Sequence, residues 1–124
     1  MRQGIFESDA AFDERVKRAE GDKLGLRQGL FESDASYFNR IEVEMARKTG
    51  ARQGFFESDA AFKARAYREK AESMGVRQGI FESDAAYERR VRDAYAEKLG
   101  LRQGLFESDS EFDLRVRAEY AKTL

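Results

Sequence analysis

The chain has 124 residues, of which 23 are basic and 24 acidic, giving a formal net charge of −1. That balance supplies no basic excess for a nucleic acid. With no Cys and no His, disulfides and thiolate metal sites are excluded, and the commonest general base and transition-metal ligand are missing.

One block, Arg-Gln-Gly-apolar-Phe-Glu-Ser-Asp, starts at Arg2, Arg27, Arg52, Arg77 and Arg102 with no insertion or deletion between copies. A fixed period of 25 residues marks a repeat protein built from one small supersecondary unit. The expected organisation is a single repeat domain over 1–124, with units 2–26, 27–51, 52–76, 77–101 and 102–124.

Within each unit the connector comes first. Its phenylalanine (Phe6, Phe31, Phe56, Phe81, Phe106) never varies. It is expected to pack on the aromatic of the next helix, as a hydrophobic staple does, and to form part of a core shared between units. The glycine of the motif (Gly4, Gly29, Gly54, Gly79, Gly104) points to a special backbone angle or a close approach. Ser8, Ser33, Ser58, Ser83 and Ser108 read as N-caps, whose oxygen accepts from an unpaired N–H of the first turn. The Asp behind each sits at the positive end of the helix dipole.

A helix of ~16 residues, ~24 Å long, follows each cap. In the second unit it runs from Asp34 to Thr49. Gly25, Gly50, Gly75 and Gly100 end the runs, and each precedes an apolar residue. That pair predicts a Schellman stop, with Ala46, Ala71 or Ala96 as apolar partner. Spacing of four, as in Tyr37, Ile41, Met45 and Thr49, marks one face of an amphipathic helix.

The predicted fold is an all-α solenoid of five such units, with a βα solenoid as the alternative. The connector can run back along its helix, making all helices parallel, or fold as a compact loop between alternating helices. Handedness does not follow from the pattern.

Three sets of residues are candidates for function or assembly. Arg40, Arg65 and Arg90, with Arg15 and Arg115 in the outer units, face no constant partner on their own helix. Pairing with Glu32, Glu57 and Glu82 of adjacent units is expected, since a guanidinium fork binds carboxylate through two bonds. The pairs Arg27/Gln28, Arg52/Gln53, Arg77/Gln78 and Arg102/Gln103 form the expected partner-binding ladder. The first and last units are expected to leave complementary stacking faces open: Phe6, Phe12 and Val16 on one, Phe106, Phe112, Val116 and Leu124 on the other. Such faces join copies head to tail, into a filament or a ring.

No base stands near the serines, whose cap role accounts for them, so no catalytic residue, cofactor or metal site is expected. No EF-hand-like spacing appears for a hard cation. The expectation is a non-enzymatic repeat protein presenting a periodic surface to another protein or to copies of itself. The alternative is a structural subunit of a filament or ring. No apolar run approaches the ~18–20 residues of a membrane span. No leader separates Met1 from the first motif, so a cytoplasmic protein is the default expectation.

Overall fold

A computed structural model describes residues 1–124. It contains five helices at regular spacing and no strand: α1 (Asp9–Lys23), α2 (Asp34–Lys48), α3 (Asp59–Ser73), α4 (Asp84–Leu99) and α5 (Asp109–Ala121). The caps are those the sequence predicts. Ser8, Ser33, Ser58, Ser83 and Ser108 each accept from the backbone N–H three residues on, at 3.1 Å. Gly25, Gly50, Gly75 and Gly100 take positive φ, from 71° to 96°. In three units the following residue closes a Schellman bond: Leu26 N–H to Gly21, Val76 to Ala71 and Leu101 to Ala96, at 2.8–2.9 Å.

The βα alternative fails for a local reason. The connector turns sharply at Gly4–Glu7 and its counterparts, with the Glu N–H donating to the Gly carbonyl at 3.1 Å. Extended chain has no room to form a ladder there.

All helices run parallel. Ser110, in the first turn of α5, donates to Asp9 at the start of α1. Arg117, two turns on, reaches Asp13 and Glu20, further along α1. Contacts therefore advance in the same direction along both helices. Tyr95 and Tyr120, at the same place in α4 and α5, meet edge to face with ring centroids 5.0 Å apart. Each connector must then travel back the length of a helix. A 15-residue helix is ~22 Å long, and the ten residues from Leu24 to Ser33 can span ~33 Å.

The apolar core is divided into wedges between successive helices. The first-turn aromatic and the residue four later pack on the end of the preceding helix. Phe62 and Ala66 lie on Val43 and Ala46, Tyr87 and Val91 on Ala71 and Val76, and Phe112 and Val116 on Ala96. Tyr37 and Ile41 close on Gly21, where an added Cβ would collide with the Tyr37 hydroxyl and lie 2.9 Å from Ile41 Cδ1. Each fully buried large side chain contributes roughly 1.5–3 kcal/mol.

The array closes on itself. Phe12 and Val16 of α1 are buried against Leu114 and Ala118 of α5. The terminal faces expected to stay open thus cover one another within one chain. Phe12 and Val16 line that seam, while Phe112 and Val116 serve the α4–α5 junction. Phe6 and Phe106 lie on neither face and are exposed, and Leu124 is half-buried.

The closing residues are particular to α5. Where Leu114 stands, the other units carry Glu14, Asn39, Ala64 and Arg89; where Ala118 stands, they carry Arg18, Val43, Arg68 and Asp93. An added apolar strip gives α5 two buried faces. The fifth unit is therefore a receiver for the first rather than a polar cap.

Candidate binding surface

Every polar side chain of the motif except its leading Arg is used to build the turn and the helix cap. In the first unit Glu7 folds back so that its Oε1 accepts from Gly4 N–H at 2.8 Å. A Cβ on Gly4 would lie 3.4 Å from the Glu7 Cβ, so the glycine provides close approach, with no positive φ. Arg15 grips the same carboxylate with Nε and Nη2, at 2.9 and 2.8 Å. Its Nη2 also donates to the Arg2 carbonyl. Gln3 Nε2 donates to the Glu7 carbonyl and to Asp9 Oδ1, both at 2.9 Å.

The same set recurs in all five units. The second Arg–Glu contact measures 2.7–2.9 Å throughout. The guanidinium also lies 5.2–5.6 Å from the ring centroid of Phe12, Tyr37, Phe62 or Phe112, adding a cation–π contact. Paired guanidinium and glycine N–H, in that order of weight, pull the carboxyls of Glu32, Glu57 and Glu82 from 4.5 to about 2.

This geometry corrects one expectation and refines another. Arg40, Arg65 and Arg90 do bind Glu32, Glu57 and Glu82, but within a unit rather than between units. The connector doubles back along its own helix, so a Glu eight residues before the Arg arrives beside it. Of the expected ladder, Gln28, Gln53, Gln78 and Gln103 spend their amide N–H groups inside the turn. The side chains of Arg27, Arg52, Arg77 and Arg102 are exposed and outside every ion pair.

What the turn displays is apolar. Its two tip residues are Ile5–Phe6, Leu30–Phe31, Phe55–Phe56, Ile80–Phe81 and Leu105–Phe106, and all ten are 91–101% exposed. The expectation of a staple and a shared aromatic core is overturned for these phenylalanines. A staple needs its apolar residue directly before the N-cap. Here that place holds Glu7 and its counterparts, and the Phe, one residue earlier, is carried to the tip of the turn. Only the helix aromatics are core: Phe12, Tyr37, Phe62, Tyr87 and Phe112 are at most 4% exposed. Because the helices are parallel and each turn immediately precedes a helix, all five tips crown one rim of the ring.

No family model, no curated protein and no solved structure matches this chain. The chemistry of the site therefore rests on its own residues. The apolar residue before each Phe was no sequence-based candidate. The signal for it was the Glu at the staple position.

The helices also surround an open central cavity of about 970 Å³, lined by helix residues alone, among them Tyr67, Tyr95 and Tyr120. Several of its charges are paired, whereas Arg68 and Glu88 form no ion pair. Arg117 bridges Asp13 and the buried Glu20 across the closing seam, and Lys63 pairs with Glu42. Burial raises the Glu20 carboxyl, and Arg117 offsets this only in part. Burial works against the Arg117 guanidinium, but attraction to Glu20 and Asp13 outweighs it and raises its pKa. No group of three His, Cys, Asp or Glu residues is placed to hold a metal ion. No helix is long and apolar enough to cross a membrane.

Proposed function

We propose that this chain is a non-catalytic binding module whose binding surface is the crown of apolar turn tips. One observation carries the reading: ten large apolar side chains at the tips are 91–101% exposed, in a motif whose other invariant side chains mostly have structural work. Arg15, Glu7, Gln3, Gly4 and Ser8 build the turn and the cap. Phe6 and its counterparts build nothing within the chain. Exposed apolar surface on this scale marks an interaction site, and mounting five weak contacts on one rigid ring multiplies their effect through avidity.

Periodic binding thus moves from the Arg–Gln pairs to the tips, with the exposed arginines flanking them. Head-to-tail assembly through open end faces has less support, since Phe12 and Val16 are already covered by α5. The test is serine at Phe6, Phe31, Phe56, Phe81 and Phe106 together. Helical circular dichroism should be unchanged, while retention on a phenyl-substituted matrix at moderate salt should be lost. Unchanged retention would remove the tips as a binding surface.

A further inference from the structure

We propose that the crown docks on a lipid bilayer, the five turn tips entering its interface with the ring standing upright on the surface. This rests on the tips being the binding surface and names their occupant.

The first argument is tolerance of shape. The leading tip position holds Ile5, Leu30, Phe55, Ile80 and Leu105. A folded partner's pocket is close-packed and distinguishes a branched aliphatic side chain from an aromatic one. Hydrocarbon does not, because partition follows apolar area. Across five copies the leading position keeps apolar character but not shape, while the second is Phe throughout. Latitude of shape at the leading position is the pattern expected of a fluid partner.

The second is symmetry. Five equivalent tips on one rim need either five equivalent pockets or a laterally uniform surface. A second copy facing the rim would offer tips rather than pockets, and its ring of Asp9, Asp34, Asp59, Asp84 and Asp109 would oppose the same ring on the first. A bilayer is uniform in its plane.

The third is the cost of leaving water. The polar groups of the Gly and Glu that flank each tip are already paired within the turn. Gly4 N–H binds Glu7 Oε1, the Gly4 carbonyl accepts from Glu7 N–H, and the Glu7 carbonyl accepts from Gln3. The backbone N–H and C=O groups of the two tip residues have no partner, so they fit the headgroup interface, where water and lipid oxygens satisfy them, rather than the hydrocarbon centre.

The fourth is charge. Arg2, Arg27, Arg52, Arg77 and Arg102 are exposed, form no ion pair and lie three residues before each tip. A guanidinium suits a phosphate oxygen, and its apolar stem lies comfortably along an interface. The acids of the rim limit any pull toward anionic lipid. Each Glu7-type carboxylate is clamped by its Arg, and Asp34 and Asp109 pair with helix arginines, but Asp9, Asp59 and Asp84 remain and offset part of the charge of the five arginines. Docking is thus carried by the apolar term, works on zwitterionic lipid, and depends little on salt.

The experiment uses the full chain and phosphatidylcholine vesicles. The unsubstituted protein should sediment with them. Replacing one tip pair (Ile80→Ser with Phe81→Ser) should lower the partition coefficient about tenfold, and replacing three pairs should abolish binding with the helical signal intact. Phe56→Trp introduces the only Trp of the chain, and its emission should shift to the blue on mixing. Failure to sediment, with no spectral shift, overturns the bilayer assignment. If the protein instead self-associates without lipid and the same serines make it monomeric, the occupant is a second copy: the bilayer fails while the tips stand as a binding surface. If the serines alter neither behaviour, both readings fail.

Discussion

The turn and the inner helix face of this protein follow opposite rules. The turn is nearly identical in five units and ends in side chains that stand almost wholly in water. The inner face varies along the array: one position reads Asp13, Phe38, Lys63, Glu88, Asp113, and another Glu20, Met45, Lys70, Tyr95, Tyr120. Inner positions need only suit the neighbour they meet, so compensating pairs such as Arg117 with Asp13 and Glu20 accumulate there. The turn meets the same surroundings five times, and its polar residues answer to one local geometry. Repetition in the turn's polar residues reports architecture. Repetition in its tips does not, because the architecture is complete without them.

The contrast breaks most visibly at two phenylalanines six residues apart. Phe62 is fully buried between α2 and α3, whereas Phe56 is 95% exposed. Phe62→Ala should cost ~3–5 kcal/mol in chemical denaturation. Phe56→Ala should cost less than ~1 kcal/mol, as surface changes usually do. Comparable losses at both would place the connector phenylalanine in the core after all.

The closing seam comes next. Arg117→Met strands Glu20, whose side chain is 5% exposed. Breaking a buried pair costs ~3–5 kcal/mol. A loss nearer ~2 kcal/mol is expected, because Arg117 keeps 40% of its side chain in water and screening discounts the pair. The Glu20 pKa is raised, so the penalty belongs to its ionised form and should shrink as pH falls toward the ordinary carboxyl range. Glu20→Met in addition, borrowing the residue of the second unit at that position, should recover most of the loss. A pH-independent penalty would show that packing, not charge, holds the seam.

Much of this was legible in the chain. The period, the helices, the serine caps and the glycine stops are local events, and residues within a few positions decide them. Gly25 with Leu26, or Ser8 before Asp9, need no knowledge of the fold. Three features were not legible in the same way. Closure depends on a small rotation summed over five units, which no single unit encodes; only Leu114 and Ala118, apolar where most other units are polar, hint at it. The Arg–Glu clamps span the N-cap, and helix-spacing rules say nothing about a connector that doubles back. The staple assignment missed by one residue, and that residue carried the tip phenylalanines from core to water.

The smallest effect sharpens the turn side of the comparison. Arg65 and Glu57 should be coupled in a double-mutant cycle, whereas Arg65 and Glu82 should be additive. The carboxyls of Glu32, Glu57 and Glu82 are depressed to about 2 from 4.5. Their contribution is therefore fully present above pH 4.5 and is lost as pH falls from there toward 2. Carboxyl resonances titrating near the ordinary value would mean that the clamps are open in solution.

Thiol labelling tests the central claim, that the tip phenylalanines face outward from a completed fold, most directly. The chain has no Cys, so each substitution gives one reporter. Phe56→Cys should react with a thiol reagent in native dilute solution about as fast as in denaturant, and Phe62→Cys should react only as the protein unfolds. Equal protection of both would contradict the account.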